Sequence, residues 1–182
     1  MQSVILVVIL FFLAVQVLPV AVGVNRKESK GLWVIFGLIM AVLQTALFWG
    51  GIQLGALFMH FMDGFSGLVL FLGFSLIGIR MLMEVFQIRK GERTYLIDKT
   101  KHIMFAGLAQ AINTFLAGLL FTFFTFDNLH VYEILFITTL VLSLAGMWLS
   151  ASKFNLSLTA LLYLFGGLVM LIAGVYLAFF AA

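Results

Sequence analysis

The chain has no cysteine, which excludes both a disulfide framework and a thiolate metal site. It has a single proline, and only 9% of its residues are charged, against about 25% in a soluble globular domain. So little charge cannot cover a water-facing surface, and a soluble fold is excluded. The net charge of +3 is too small, and too confined to predicted loops, for nucleic-acid binding. Enzyme signatures are missing as well. His60, His102 and His130 fall at predicted helix ends with no HExxH spacing. No serine lies in a GxSxG context, and no phosphate-cradling glycine motif is present. These absences predict a protein that is not an enzyme and holds no resident cofactor.

What is present is apolar length. Of 182 residues, 64% are hydrophobic and 21 are Phe, a composition suited to helices that face lipid. Six apolar runs, Val4–Val24, Leu32–Met59, Phe65–Ile88, Ile103–Phe126, Val131–Ala151 and Leu156–Phe180, can each cross a hydrocarbon core of about 30 Å at 1.5 Å per residue. The expected fold is an all-α integral membrane protein with six transmembrane helices in a single domain, residues 1–182. A charged linker, residues 89–101, divides it into halves of three helices, about 1–88 and 102–182. Three helices per half makes any likeness between the halves an inverted repeat, and transporters place their sites where such repeats meet. The echoes are faint. Gln16 and Asn113 lie midway along the first helix of each half, and Gly78-Ile79-Arg80-Met81 loosely matches Gly174-Val175-Tyr176-Leu177.

Charge in the loops orients the bundle. Arg26, Lys27 and Lys30 lie in the first loop, Arg89, Lys90, Arg93, Lys99 and Lys101 in the third, and Lys153 in the fifth. The second and fourth carry Asp63, Asp127 and Glu133 instead. The positive-inside rule puts the basic loops in the cytoplasm and both termini outside. Met1-Gln2-Ser3 offers no positive region ahead of the first run, so that run is expected to stay as a helix rather than be cleaved as a signal peptide.

The polar residues inside these runs are the candidates for function. Gln16 has Pro19 and Gly23 on its face, and the proline leaves Val15 without its usual carbonyl partner. Such freed backbone either lines a cavity or marks a packing kink. Ala106, Gln110, Asn113 and Ala117 form one stripe on the fourth helix, for which close packing with interhelical hydrogen bonds is the plainer reading. The same applies to Gln44 and to Gly51-Ile52-Gln53-Leu54-Gly55, while Thr138, Thr139 and Ser143 can bond back to helix carbonyls. Arg80 and Glu84, four apart, can pair on one face. They read either as a structural interface pair or as a gate or ion-coupling pair, since intramembrane charge usually faces a bundle interior.

Several collinear segments resemble the manganese efflux pump family of the lysine-exporter superfamily. They are Gln16–Gly23, Ala41-Val42-Leu43-Gln44-Thr45, Gly78-Ile79-Arg80-Met81-Leu82-Met83-Glu84, Ala111-Ile112-Asn113-Thr114, Thr139–Met147 and Leu164–Gly174. The resemblance implies a small exporter of Mn²⁺ in a bacterial inner membrane, with acidic residues on helices one, two and four forming the cation site. The matching positions here hold Gln16, Gln44 and Asn113, and only Arg80 and Glu84 keep their charges. Amide oxygens suit a hard cation but bring no negative charge. The expected substrate-binding residues are thus Gln16, Gln44 and Asn113, with Arg80, Glu84 and Pro19 in gating or coupling and the metal ligands left open. The expected partners are the lipid bilayer and a small ion or solute, with homo-oligomerisation left open. Three functions remain: weak export of a divalent metal with Mn²⁺ as cargo, export of a neutral or zwitterionic solute, and a non-transporting role through helix contacts.

Overall fold

A computed structural model describes residues 2–23, 30–90, 100–124, 130–149 and 153–180. Among them there is no strand. Helix α1 (Gln2–Val15) and the short α2 (Leu18–Val22) form the first span, and α3 (Lys30–Met62) the second. A 3-10 turn, Asp63–Phe65, leads into α4 (Ser66–Lys90), the third. Helices α5 (Thr100–Gln110) and α6 (Ile112–Phe121) form a fourth span bent by 42°, and α7 (Val131–Trp148) and α8 (Lys153–Phe180) complete six. All are apolar nearly all the way round, as helices in lipid are. Arg26, Lys27, Arg93, Lys99 and Asp127 lie outside the described residues, as do residues 91–99 of the charged linker.

Neighbouring spans run in alternating directions. Gly37 on α3 faces Leu140 and Leu144 on α7, whereas Gly51 and Gly55 face Phe115 to Thr122 on α6. On α4, Gly78 faces Gly167 of α8 while Phe74 faces Gly174. The Val22, Lys30, Lys90, Thr100, Trp148 and Lys153 ends therefore share one side of the bundle, hereafter the basic side.

Glycine sets how closely the helices approach. A Cβ on Gly118 would lie 3.1 Å from the Cα of Gly51 and closer still to the Phe48 carbonyl. One on Gly78 would lie 2.8 Å from the Gly167 carbonyl. The Gly51–Gly55 spacing is thus a packing seam, as its sequence suggests.

These contacts come in matched sets. One sequence separation relates Gln16 to Asn113 and Ala21 to Gly118, and another relates Gln44 to Thr139 and Gly51 to Gly146. Just as Gly118 faces Gly51, Ala21 faces Gly146, whose added Cβ would lie 2.6 Å from the Ala21 Cβ. Phe71 stands to Gly167 as Gly78 stands to Gly174, and both Gly78–Gly167 and Phe71–Gly174 are contacts.

Away from the basic side, the core is closed by buried Leu6, Ile9, Leu10, Leu70 and Phe74. Phe48, Phe121 and Phe124 seal it edge to face, with ring centroids 5.0 Å apart for Phe48–Phe121 and 6.1 Å for Phe121–Phe124. A second cluster of Val17, Val20, Phe36, Met40 and Met147 packs toward the basic side.

Backbone-to-backbone seams cannot relax around an added side chain. Gly118→Leu is expected to cost at least about 1–3 kcal/mol and to abolish recovery of monodisperse protein by size-exclusion chromatography in detergent. Gly50→Leu, where an added Cβ meets nothing within 4 Å, should behave as wild type. Equal behaviour of the two variants would contradict the seam.

Candidate functional site

Two spans are broken at the same depth, and their breaks face each other. In the first, Pro19 falls in the opening turn of α2 and cannot donate backward. The chain tightens ahead of it: the Gln16 amide donates to the Leu13 carbonyl at 3.3 Å and the Val17 amide to Ala14 at 3.1 Å, both three-residue bonds. The sequence reading of a single fourth helix is corrected here. It bends at Ala111, between α5 and α6, with no proline to announce it.

Polar side chains fill the gap between the breaks. The side-chain amide of Gln110 donates both to the backbone carbonyl of Gln16 and to the Tyr163 hydroxyl, the latter at 2.7 Å. Asn113 Nδ2 donates to Gln16 Oε1 at 3.1 Å, and Gln16 Nε2 leans on Met81 Sδ at 3.6 Å. The Thr114 hydroxyl donates to Gln44 Oε1 at 3.2 Å, which brings the second span in. Gln16, Gln44, Asn113 and Thr114 are all within 1% of complete burial. The break at the proline thus lines a polar centre, but the carbonyl that Gln110 occupies is that of Gln16, one residue beyond the Val15 carbonyl expected to be freed.

From this centre a chain of hydrogen bonds runs toward the basic side. The Tyr163 hydroxyl donates to Glu84 Oε2 at 2.8 Å, and Arg80 Nε donates to Glu84 Oε1 at 3.2 Å. Arg80 Nη2 also reaches the Ala109 carbonyl at 3.5 Å. The Glu84 side chain is 6% exposed and that of Arg80 33%, so the pair joins the buried centre to the surface. Glu84 is the one buried carboxylate among the described residues.

Some polar atoms stay without a partner. Gln44 Nε2, Asn113 Oδ1 and Thr139 Oγ1 are buried and find no protein hydrogen bond. Unpaired polar groups in a core cost about 1–3 kcal/mol each, and Gln44 and Asn113 belong to one hydrogen-bonded centre through Thr114 and Gln16, which suits a ligand better than a packing seam. Among the described residues no group of three or more His, Asp or Glu side chains could hold a metal ion.

Five of the six residues singled out in the sequence meet in this network: Gln16, Gln44, Asn113, Arg80 and Glu84. Pro19 contributes by breaking the helix. Tyr163 and Thr114 were not singled out. A tyrosine in the apolar run Leu156–Phe180 carried a signal, because a buried hydroxyl needs a partner. Of the small hydroxyls on α7, Ser143 bonds back to the Thr139 carbonyl at 2.7 Å as expected.

Neither curated proteins nor solved structures gave a match to this chain. The family model described as "Putative manganese efflux pump" matches residues 23–178. That range takes in Gln44, Arg80, Glu84, Asn113 and Tyr163 and begins beyond Gln16 and Pro19. Most of the chain lies within the match, and it belongs to the manganese efflux pump family of multi-pass membrane transport proteins.

Proposed function

We propose that the protein exports a small hydrogen-bonding solute, neutral or zwitterionic, through a site made by Gln16, Gln44 and Asn113. The observation that carries this reading is the pairing of an unclaimed donor, Gln44 Nε2, with an unclaimed acceptor, Asn113 Oδ1, in a buried centre that holds no charge. A bare dication there would meet Glu84 as its nearest buried carboxylate, already offset by Arg80 at 3.2 Å. Unmatched charge in a low-dielectric interior costs several kcal/mol per ion even after water penetration. A neutral or zwitterionic solute brings its own donors and acceptors and avoids that cost.

The same layout supports an orientation and a cycle. The basic side faces the cytoplasm of a bacterial inner membrane, with both termini outside. The matched contact sets support two inverted three-helix repeats, with the site at their junction. Rocking one half against the other would expose the amide centre first to one side and then to the other.

Mn²⁺ itself is the second reading. The family favours it, and Gln16 Oε1, Gln44 Oε1 and Asn113 Oδ1 are oxygens of the kind a hard cation accepts. A purely structural role is disfavoured by the unpaired polar atoms.

Mn²⁺ flux into proteoliposomes separates the two substrates. Wild type is expected at background, with flux appearing in the Gln16→Asp/Asn113→Asp double variant. Mn²⁺ flux by wild type would show that amide oxygens suffice and overturn the proposal. With a panel of labelled zwitterionic amino acids, Asn113→Ala and Gln16→Ala should each lower uptake about tenfold, equivalent to roughly 1.4 kcal/mol of lost binding, while remaining folded. Unchanged uptake in both variants would remove these residues from the site.

A further inference from the structure

The two halves of the bundle are closed by different chemistry. On the side away from the lysines the seal is apolar, made by Phe48, Phe121 and Phe124. On the basic side it is a string of directed hydrogen bonds crossing four spans, from Arg80 and Glu84 on α4 through Tyr163 on α8 and Gln110 on α5 to the Gln16 carbonyl on the first. The matched sets do not extend to it. The separation that relates Gly78 to Gly174 places Tyr176 opposite Arg80, Phe180 opposite Glu84 and Gly67 opposite Tyr163. The string therefore has no counterpart in the other half.

We propose that Tyr163 is the latch of the inner closure, a positioning residue that ties the Arg80–Glu84 pair to the break at Gln16. Its ring is fully buried, and its hydroxyl donates to a carboxylate while accepting from Gln110. Hydrogen bonds to charged groups are worth about twice neutral ones, and only more so away from water. The lone pair of Tyr163 and the second proton of the Gln110 amide couple the charged pair to the first span's backbone. A solute that engages Gln16 or Asn113 shifts the segment to which Gln110 is bound, loosens its hold on Tyr163 and frees the basic end of α8 to part from that of α4, beyond the Gly78–Gly167 seam. The seam beside the latch is already partly open: a crevice of about 160 Å³ between α4 and α8 is lined by Val85, Arg89, Ser157, Ala160, Leu161 and Leu164. This latch operates whichever solute is carried.

The absence of native cysteine allows a direct test without a substrate. Ala160→Cys reports on the basic side of Tyr163 and Ala173→Cys on the opposite side; both alanines are buried on α8. In lipid nanodiscs, where a water-soluble maleimide reaches both faces, Tyr163→Phe should raise the labelling rate at position 160 about tenfold and change it at 173 less than about twofold. Gln110→Met, which cuts the latch at its other end and leaves the Tyr163–Glu84 bond intact, should give the same asymmetry. It stands in for Tyr163→Phe should that variant fail to fold. An unchanged rate at 160, or an equal rise at both positions, would overturn the latch. Because no flux is measured, that failure is distinct from a failure of the proposed substrate.

Discussion

The arrangement depends on the hydrogen bond from the Gln110 side chain to the backbone carbonyl of Gln16. In hydrocarbon, a carbonyl released from its helix has no water to turn to, and leaving it bare costs several kcal/mol. Pro19 breaks the ladder of the first span there: it cannot donate to Val15, and the Gln16 and Val17 amides turn to three-residue bonds. A bend at Ala111 in the fourth span is what brings Gln110 and Asn113 to opposite ends of one gap. The two broken helices hold each other open, and the space between them is where polar side chains can collect inside an otherwise apolar bundle.

Around that gap the packing is rigid. Glycine seams bring α3 against α6, and α4 against α8 at Gly78 and Gly167, with almost no room for side chains, so α4 and α8 can part only at their ends beyond that seam. Movement must then occur where the contacts are fewer and polar, along the line from Gln16 to Arg80, or across the aromatic seal of Phe48, Phe121 and Phe124. An uncharged centre with one paired carboxylate at its edge differs from a site built for a dication, although the scaffold that holds it is that of the manganese efflux pump family. In the proposed reading, the side chains at 16, 44 and 113 decide which solute this scaffold takes.

Much of the architecture was legible in the sequence because the membrane is a demanding solvent. Runs such as Phe65–Ile88 must be helical to satisfy their backbones, and Gln16, Gln44, Asn113, Arg80 and Glu84 stand out because burying them is costly. The GxxxG seam at Gly51 and Gly55 and the back-bonding of Ser143 were also readable from local spacing. The bend at Ala111 was not, since no proline or flanking signal marks it and it is tied instead to partners on other spans. Tyr163 was hidden for a related reason: its role comes from Glu84 and Gln110, distant in sequence and brought near only by the antiparallel packing of α4 and α8. The orientation across the membrane is read from loop charges, of which Arg26, Lys27, Arg93, Lys99 and Asp127 lie outside the described residues.

The most direct test of this account is a solid-state NMR distance measurement in lipid bilayers. The side-chain nitrogen of Gln110 would be labelled with ¹⁵N and the Gln16 carbonyl with ¹³C, and their dipolar coupling measured. The account predicts a separation of about 4 Å, as a hydrogen-bonded N–H···O=C pair requires. A coupling too weak to detect would mean that the freed carbonyl is satisfied elsewhere, and the amide centre built upon it would not stand.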